Sequence, residues 1–191
     1  MTATSRREQQ LRKLSRFLSM LLRHRPSRFP LALDDQGWVP LSDVMRILRG
    51  LPNFRWARRA DIDEIMASRG RAKFEMVQDG RGTRIRALYG HTAVRPTYEP
   101  VVPHDVLYAA IAPERASEVQ QQGLASVETS YVELAGSPEE ARRLASRQID
   151  APVVFAVDAA AAHAAGCAFY SPTEGVVLVE RVPLEYLTHL A

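Results

Sequence analysis

Apolar positions in the first ninety residues fall into three stretches of helical spacing and then one of alternation. Over 6–24, Leu11, Leu14, Leu18, Leu21 and Leu22 recur at three- and four-residue intervals, with Phe17 on the flank. This predicts an amphipathic helix that ends where Pro26 follows Arg25. Asp34, Asp35, Gln36 and Gly37 read as a turn, and 37–41 as a short extended piece. Ser42 is placed to cap a second helix carrying Val44, Ile47 and Leu48, and Ile62, Ile65 and Met66 mark a third over 61–68. Alternation over 73–76 and 83–87, either side of Asp79 and Gly80, predicts a hairpin.

Pro96, Pro100 and Pro103 then fall within eight residues, which suits an extended crossing rather than a packed element. Beyond it, 106–108 reads as a strand, and 113–122 as a helix with Pro113 near its start and Gly123 past its end. A short strand is expected over 132–134. Ser137, Pro138, Glu139 and Glu140 form a capping box that opens a helix reaching about Arg147. The unbroken apolar runs 153–157 and 175–179 read as buried strands. Three helices followed by a hairpin is the order of a winged helix, and the second half mixes strands and helices. The expectation is an α+β protein of two domains, 1–93 and 105–191, joined by a proline-rich linker over 94–104.

Charge agrees with that division. The 191 residues carry a net +3, but residues 1–95 hold 20 Lys and Arg against 9 Asp and Glu, a net +11, and the rest hold 5 against 13, a net −8. All but Lys13 and Lys73 of these cations are arginine, the side chain that grips phosphate with two parallel hydrogen bonds. A GC-rich genome would give the same bias. No stretch approaches the ~20 apolar residues that cross a bilayer, and residues 1–10 lack a signal-peptide core, so a cytoplasmic protein without membrane association is expected. Cys167 is single, in an apolar run that suits a buried inert thiol. His24, His91, His104, His163 and His189 show no paired metal spacing, and no metal is expected.

Local motifs go further. Leu18 to Pro26 (Leu-Ser-Met-Leu-Leu-Arg-His-Arg-Pro), Leu33-Asp34-Asp35-Gln36-Gly37-Trp38-Val39, Asp79-Gly80-Arg81 and Ile85-Arg86-Ala87-Leu88-Tyr89-Gly90-His91-Thr92 together resemble the N-terminal lobe of the RNA 2'-phosphotransferases, the Tpt1/KptA family. Leu107-Tyr108, Gln122-Gly123-Leu124 and Gly175-Val176-Val177-Leu178 continue the same order, so the resemblance covers nearly the whole chain. It implies a winged-helix lobe followed by a lobe of ADP-ribosyltransferase-like fold, with NAD as co-substrate. The implied substrate is RNA bearing an internal 2'-phosphate, as at a tRNA splice junction. In such enzymes the RNA phosphate attacks the anomeric carbon of the nicotinamide ribose, expelling nicotinamide and giving 2'-phospho-ADP-ribosylated RNA. The ribose 2''-hydroxyl then attacks phosphorus, releasing RNA and ADP-ribose 1'',2''-cyclic phosphate.

Holding a dianionic phosphate in line and stabilising charge on phosphorus both require fixed cationic donors. The resemblance carries an Arg-His-Arg-Arg tetrad onto Arg23, His24, Arg86 and Arg147, the last by counting from Leu134; Arg142 and Arg143 share its helix. Without the resemblance, Arg23 and His24 read as the cationic end of a helix and Arg86 as an exposed strand arginine. His91, Tyr108 and Glu133 are the candidate contacts to NAD, and His91 equally suits a hydrogen bond within its own turn. The family's His-Gly-Thr is here Ala109, Ala110 and Ile111, and its His-Val-His-Leu-Ser is Tyr131-Val132-Glu133-Leu134-Ala135. Phosphate-gripping residues are therefore present while NAD-gripping ones are replaced. The preferred reading is a monomeric NAD-dependent RNA 2'-phosphotransferase, an ADP-ribosylating role included. The alternatives are a catalytically impaired homologue that binds phosphorylated RNA and a winged-helix nucleic-acid-binding regulator.

Overall fold

A computed structural model of the chain describes residues 3–24, 28–68, 72–146 and 149–190. The chain divides into two compact units, Met1–Thr97 and Tyr98–Ala191.

In the first unit α1 (Ala3–Ser19) runs into a π-helical turn, Met20–His24. The single helix expected from the leucine spacing thus widens before it ends, and its expected stop at Arg25 and Pro26 lies outside the described residues. Leu14, Leu18, Leu21 and Leu22 are fully buried, each side chain stabilising the fold by about 1.5–3 kcal/mol. The Asp34 carboxylate closes the next turn by accepting from the backbone N–H groups of Gln36 (3.0 Å) and Trp38 (2.8 Å). After β1 (Val39–Pro40), α2 (Leu41–Gly50) begins earlier than expected. Pro40, already extended, is its N-cap with no side-chain bond, so Ser42 sits inside the first turn instead of capping it. α3 (Arg59–Ala67) also starts early, because Asp61 accepts from the backbone N–H of Arg58 and draws the helix start back to it. Asp61 is buried, and Arg7 completes its pairing. The hairpin forms as read: β2 (Phe74–Asp79) and β3 (Gly82–Ala87) pair from Phe74↔Ala87 to Asp79↔Gly82, and the sheet order is β1-β3-β2. Ile85, Val44, Leu48 and Ile62 close the core against α1.

The second unit contains β4 (Pro100–Val101), β5 (Val106–Ile111), α4 (Ala116–Gln122), β6 (Leu124–Ala125), β7 (Val132–Leu134) and α5 (Pro138–Ala145), then β8 (Val153–Asp158), α6 (Ala159–Ala164), β9 (Phe169–Thr173), β10 (Val176–Val179), β11 (Arg181–Val182) and β12 (Leu187–Leu190). Its sheets run β4-β9-β10-β7, β12-β8-β5 and β11-β6. Every strand pairing among the described residues is antiparallel, in both units, which is the pattern of an α+β protein. Pro100 and Val101, expected to cross unpacked, pair with Tyr170 and Phe169; an edge strand is where a proline without an N–H fits. Ser137 caps α5 as expected, its Oγ accepting from the Glu140 N–H at 3.2 Å. Phe155 and Phe169 fill the centre of the core with Leu107, Leu124 and Leu134.

Candidate functional site

Arg23 and His24 close the π-helical turn, a kind of local widening that concentrates at functional sites. The turn is pinned to the segment after β3: the Thr92 backbone N–H donates to the Arg23 carbonyl at 2.9 Å, and Thr92 Oγ1 donates to it at 3.2 Å. The Arg23 guanidinium lies 4.5 Å over the ring of buried Tyr89. Gly90, at φ +77°, lies against the guanidinium: a Cβ there would be in contact with its Nη1 at 3.4 Å. Nε and Nη2 are shielded from solvent and have no hydrogen-bond partner among the described residues. A buried charged donor left unpaired costs about 1–3 kcal/mol or more, so the geometry calls for an anion at those two nitrogens.

Arg86 is held just as firmly, by different means. Its Nε and Nη2 grip Glu75 Oε2 at 2.8 and 2.7 Å, and its guanidinium lies 4.5 Å over Trp38. Arg84, two positions back and so on the same face of β3, stacks on Trp38 at 5.1 Å and pairs with Asp79. With only 19% of its side chain exposed, Arg86 is a fixed cation and not the solvated wing arginine of the default reading.

His91 is 3% exposed, with Nε2 3.0 Å from the Ala87 carbonyl. A carbonyl only accepts, so Nε2 carries the proton and Nδ1 is an acceptor, which has no partner among the described residues. Burial pushes the imidazole below its ordinary pKa. The positive charges of Arg23, Arg86 and His24 push it further down, against the opposing effect of the Ala87 bond. Arg23, His24 and Arg86 are thus near enough to the buried His91 ring for their charges to act on it. Gly37, at φ +79°, passes directly against the ring: a Cβ there would fall 2.6 Å from His91 Cε1. His24 is exposed, and its carbonyl accepts from Thr92 Oγ1 at 3.4 Å.

Sequence reasoning gave no role to Trp38, Glu75 or Tyr89. The available signal was the alternation of Arg84 and Arg86 on one face of a strand whose hairpin partner carries Glu75. Arg147 lies outside the described residues. Arg142 and Arg143 are exposed on α5, Arg143 pairing with Glu140.

The remaining candidates lie in the second unit. The backbone of Tyr108 exchanges hydrogen bonds with Ala135 at 2.9 and 2.8 Å, leaving the half-buried phenol as its available group. Ala109 and Ile111 turn their side chains into the core, so these substituted positions offer a ligand nothing beyond Ala110 and backbone. Glu133 is exposed on β7 opposite Leu178, which also pairs with Tyr170. Tyr131 lies in the bend just before β7. Tyr131 meets Tyr98 and Tyr170 at ring-centroid distances of 5.4 Å each, and Tyr98 and Tyr170 are 6.4 Å apart. The three tyrosine rings thus cluster with one another, and Glu133 shares the strand partner Leu178 with one of them, Tyr170. Cys167, expected to be buried, is half-exposed, and burial followed by the charge of Glu185 pushes its thiol pKa up. Among the described residues no cluster of three or more His, Cys, Asp or Glu could hold a metal, and no helix is long and apolar enough to cross a membrane.

Comparison with known proteins gives the same picture over nearly the whole chain. Residues 9–181 match the family model described as "RNA 2'-phosphotransferase, Tpt1 / KptA family". A Nostoc punctiforme protein described as "Probable RNA 2'-phosphotransferase" is 35% identical over 94% of this chain and 97% of its own. A similarly described Pseudomonas aeruginosa protein is 33% identical over 91% of this chain and 93% of its own. The "Probable RNA 2'-phosphotransferase 1" of Archaeoglobus fulgidus is 30% identical over 94% of this chain and 81% of its own.

Proposed function

The chain belongs to the Tpt1/KptA family of RNA 2'-phosphotransferases, and from that premise we propose that it removes an internal 2'-phosphate from RNA by transferring it to NAD. The observation that carries this reading is the Arg23 guanidinium, stacked on Tyr89 with two shielded nitrogens unpartnered. A planar fork with two parallel N–H donors is the complement of a phosphate, and a dry setting strengthens it. Arg86, clamped by Glu75 and Trp38, supplies a second fixed charge. His24 extends from the same turn as Arg23, and Arg147 is the proposed fourth member. Fixed in advance, Arg23 and Arg86 take the phosphate without reorganising, and they stabilise the charge that accumulates on phosphorus.

NAD supplies an electrophilic anomeric carbon with a leaving group. The residues present fit a dinucleotide: Glu133 suits ribose hydroxyls, and the adjoining Tyr98, Tyr131 and Tyr170 rings suit a flat base. Tyr108 adds a phenol from β5, while buried His91 offers only its Nδ1 acceptor. The first unit is read as a winged helix, supported by its helix order and β1-β3-β2 sheet, and the second as an ADP-ribosyltransferase-like lobe. The corresponding domains are 1–93 and 105–191, acting as a cytoplasmic monomer on a tRNA-like substrate.

The test is incubation of the protein with a short RNA bearing one internal 2'-phosphate, with and without NAD. NAD-dependent appearance of the plain 2'-hydroxyl RNA is expected. No conversion, together with no NAD binding by calorimetry, overturns the proposal.

A further inference from the structure

A second concentration of guanidinium charge lies away from Arg23, at the tip of the hairpin. Arg49 from α2, Arg58 and Arg59 from the start of α3, and Arg81 from the β2–β3 turn line one surface groove of about 460 Å³, together with Ser42 and Thr83. No Asp or Glu lines it. Arg59 is oriented by Thr83, to whose Oγ1 it donates at 3.1 Å, and it lies 3.6 Å from Asp63. Arg58 is oriented through Nη1 by the carbonyls of Arg55 and Ala57 at 2.8 and 3.2 Å. Among the described residues, Arg49, Arg58 and Arg81 have no carboxylate within ion-pair distance. Four like charges sharing one groove repel one another unless an anion fills it.

We infer that this groove binds the phosphodiester backbone of the RNA beside the 2'-phosphate, an inference that rests on the proposed function. The lining argues for phosphates and against a nucleotide. It has no aromatic ring to stack a base and no carboxylate to take ribose hydroxyls; apart from its arginines it is Pro40, Leu41, Met45 and small polar residues. Position argues for the same molecule. Arg86 and Arg84 lie along β3, Arg81 at the turn that begins it, and Arg49, Arg58 and Arg59 beyond the tip on the helical side. Thr83 to Arg86 spans about 10 Å along the strand, which puts the groove within reach of the nucleotides flanking one held at Arg86. Thr83 faces the groove while Arg84 and Arg86, paired with Asp79 and Glu75, face the other side of β3, so an RNA held by its 2'-phosphate at Arg23 and Arg86 reaches the groove by crossing the hairpin tip.

The test compares a trinucleotide with an RNA of about 12 nucleotides, each made with and without the internal 2'-phosphate. Binding to the full chain and to the R49A/R81A variant is followed by fluorescence anisotropy across a salt series. Removing two single-strand phosphate contacts lowers the slope of log K against log[salt] by ~1.4, so the salt effect between about 50 and about 200 mM shrinks ~7-fold for the long RNA. Its affinity at low salt drops about tenfold relative to that of the trinucleotide, and R49K/R81K restores the slope, because lysine still neutralises phosphate as a point charge. Equal losses on both lengths, or an unchanged slope on the long RNA, overturn the groove. Absence of any wild-type preference for 2'-phosphorylated over plain RNA counts against the phosphotransferase reading alone, since the length comparison is also made on plain RNA.

Discussion

Replacing Gly37 by alanine tests the packing on which the site rests. Gly37 has φ +79°, and an L-residue in that left-handed region costs about 1–2 kcal/mol. The new Cβ would also fall 2.6 Å from Cε1, 3.1 Å from Nε2 and 3.3 Å from Nδ1 of His91, pressed onto the edge of the ring. The ring is buried and cannot yield without breaking its bond to the Ala87 carbonyl. Overpacking of this kind costs about 1–3 kcal/mol, so Gly37→Ala should destabilise the protein by about 2–5 kcal/mol in all. The assay is urea unfolding followed by tryptophan fluorescence, with the change read from the midpoint at constant slope. A double-mutant cycle with His91→Ala separates the two parts. Without the ring, Gly37→Ala should cost only the ~1–2 kcal/mol of the backbone. A loss below about 0.5 kcal/mol in the wild-type background, the range of a surface change, would refute the packing of His91 on Gly37. So would the absence of coupling between the two substitutions.

Arg23→Lys keeps the charge and loses the fork, so kcat/KM on 2'-phosphorylated RNA should fall about 10- to 100-fold, the equivalent of one charged hydrogen bond; an unchanged rate would remove Arg23 from the site. Glu75→Gln loosens Arg86 without touching substrate. A kcat about tenfold lower with KM little changed is the mark of a positioning residue, and an equal rise in KM alone would contradict it. His91 is held neutral below its ordinary pKa, so its contribution to stability is present above about pH 6.5 and is lost as pH falls below that value, at up to ~1.4 kcal/mol per pH unit, until the folded-state pKa is passed. His91→Gln should flatten that part of a stability–pH curve, and an identical slope in both proteins would count against a buried neutral ring. Ser137→Ala removes the cap of α5 and should cost about 1 kcal/mol in thermal unfolding.

The elements legible in the sequence are those whose own periodicity buries them. Leu14, Leu18, Leu21 and Leu22 announce the first helix, alternation around Asp79 and Gly80 announces the hairpin, and the unbroken run 153–157 announces β8. β9 was not legible: Ser171, Pro172 and Thr173 break any apolar pattern, and it is a strand because β10 and β4 flank it. β4, β6 and β11 are two residues each, too short for a period to show. Ser42 misleads because a favourable capping residue says nothing about whether the preceding proline already stands in the cap. Within the site, Arg23, His24 and Arg86 were named through the resemblance and not through spacing. The partners that fix them, Tyr89, Trp38 and Glu75, come from other positions along the chain, and ring-to-guanidinium stacking leaves no local signature.

The charge of the first half can be interpreted more sharply once partners are known. A GC-rich genome raises the number of arginines but cannot choose their surroundings, and most substitutions by that route would end as solvated or routinely paired side chains. Arg7 with Asp61 and Glu64, Arg46 with Asp43, and Arg84 with Asp79 fit that account. Arg23 does not, because two of its nitrogens are shielded and unpartnered over an aromatic ring. Arg49, Arg58 and Arg81 are exposed, and what sets them apart is that they share one groove with Arg59 and no carboxylate. A shielded arginine left unpaired, as Arg23 is among the described residues, costs stability in the free protein, and like charges gathered in one groove repel one another; a bound anion relieves both. Part of the surplus of +11 in residues 1–95 therefore lies at the proposed phosphate site and in the groove proposed to take the phosphates beside it.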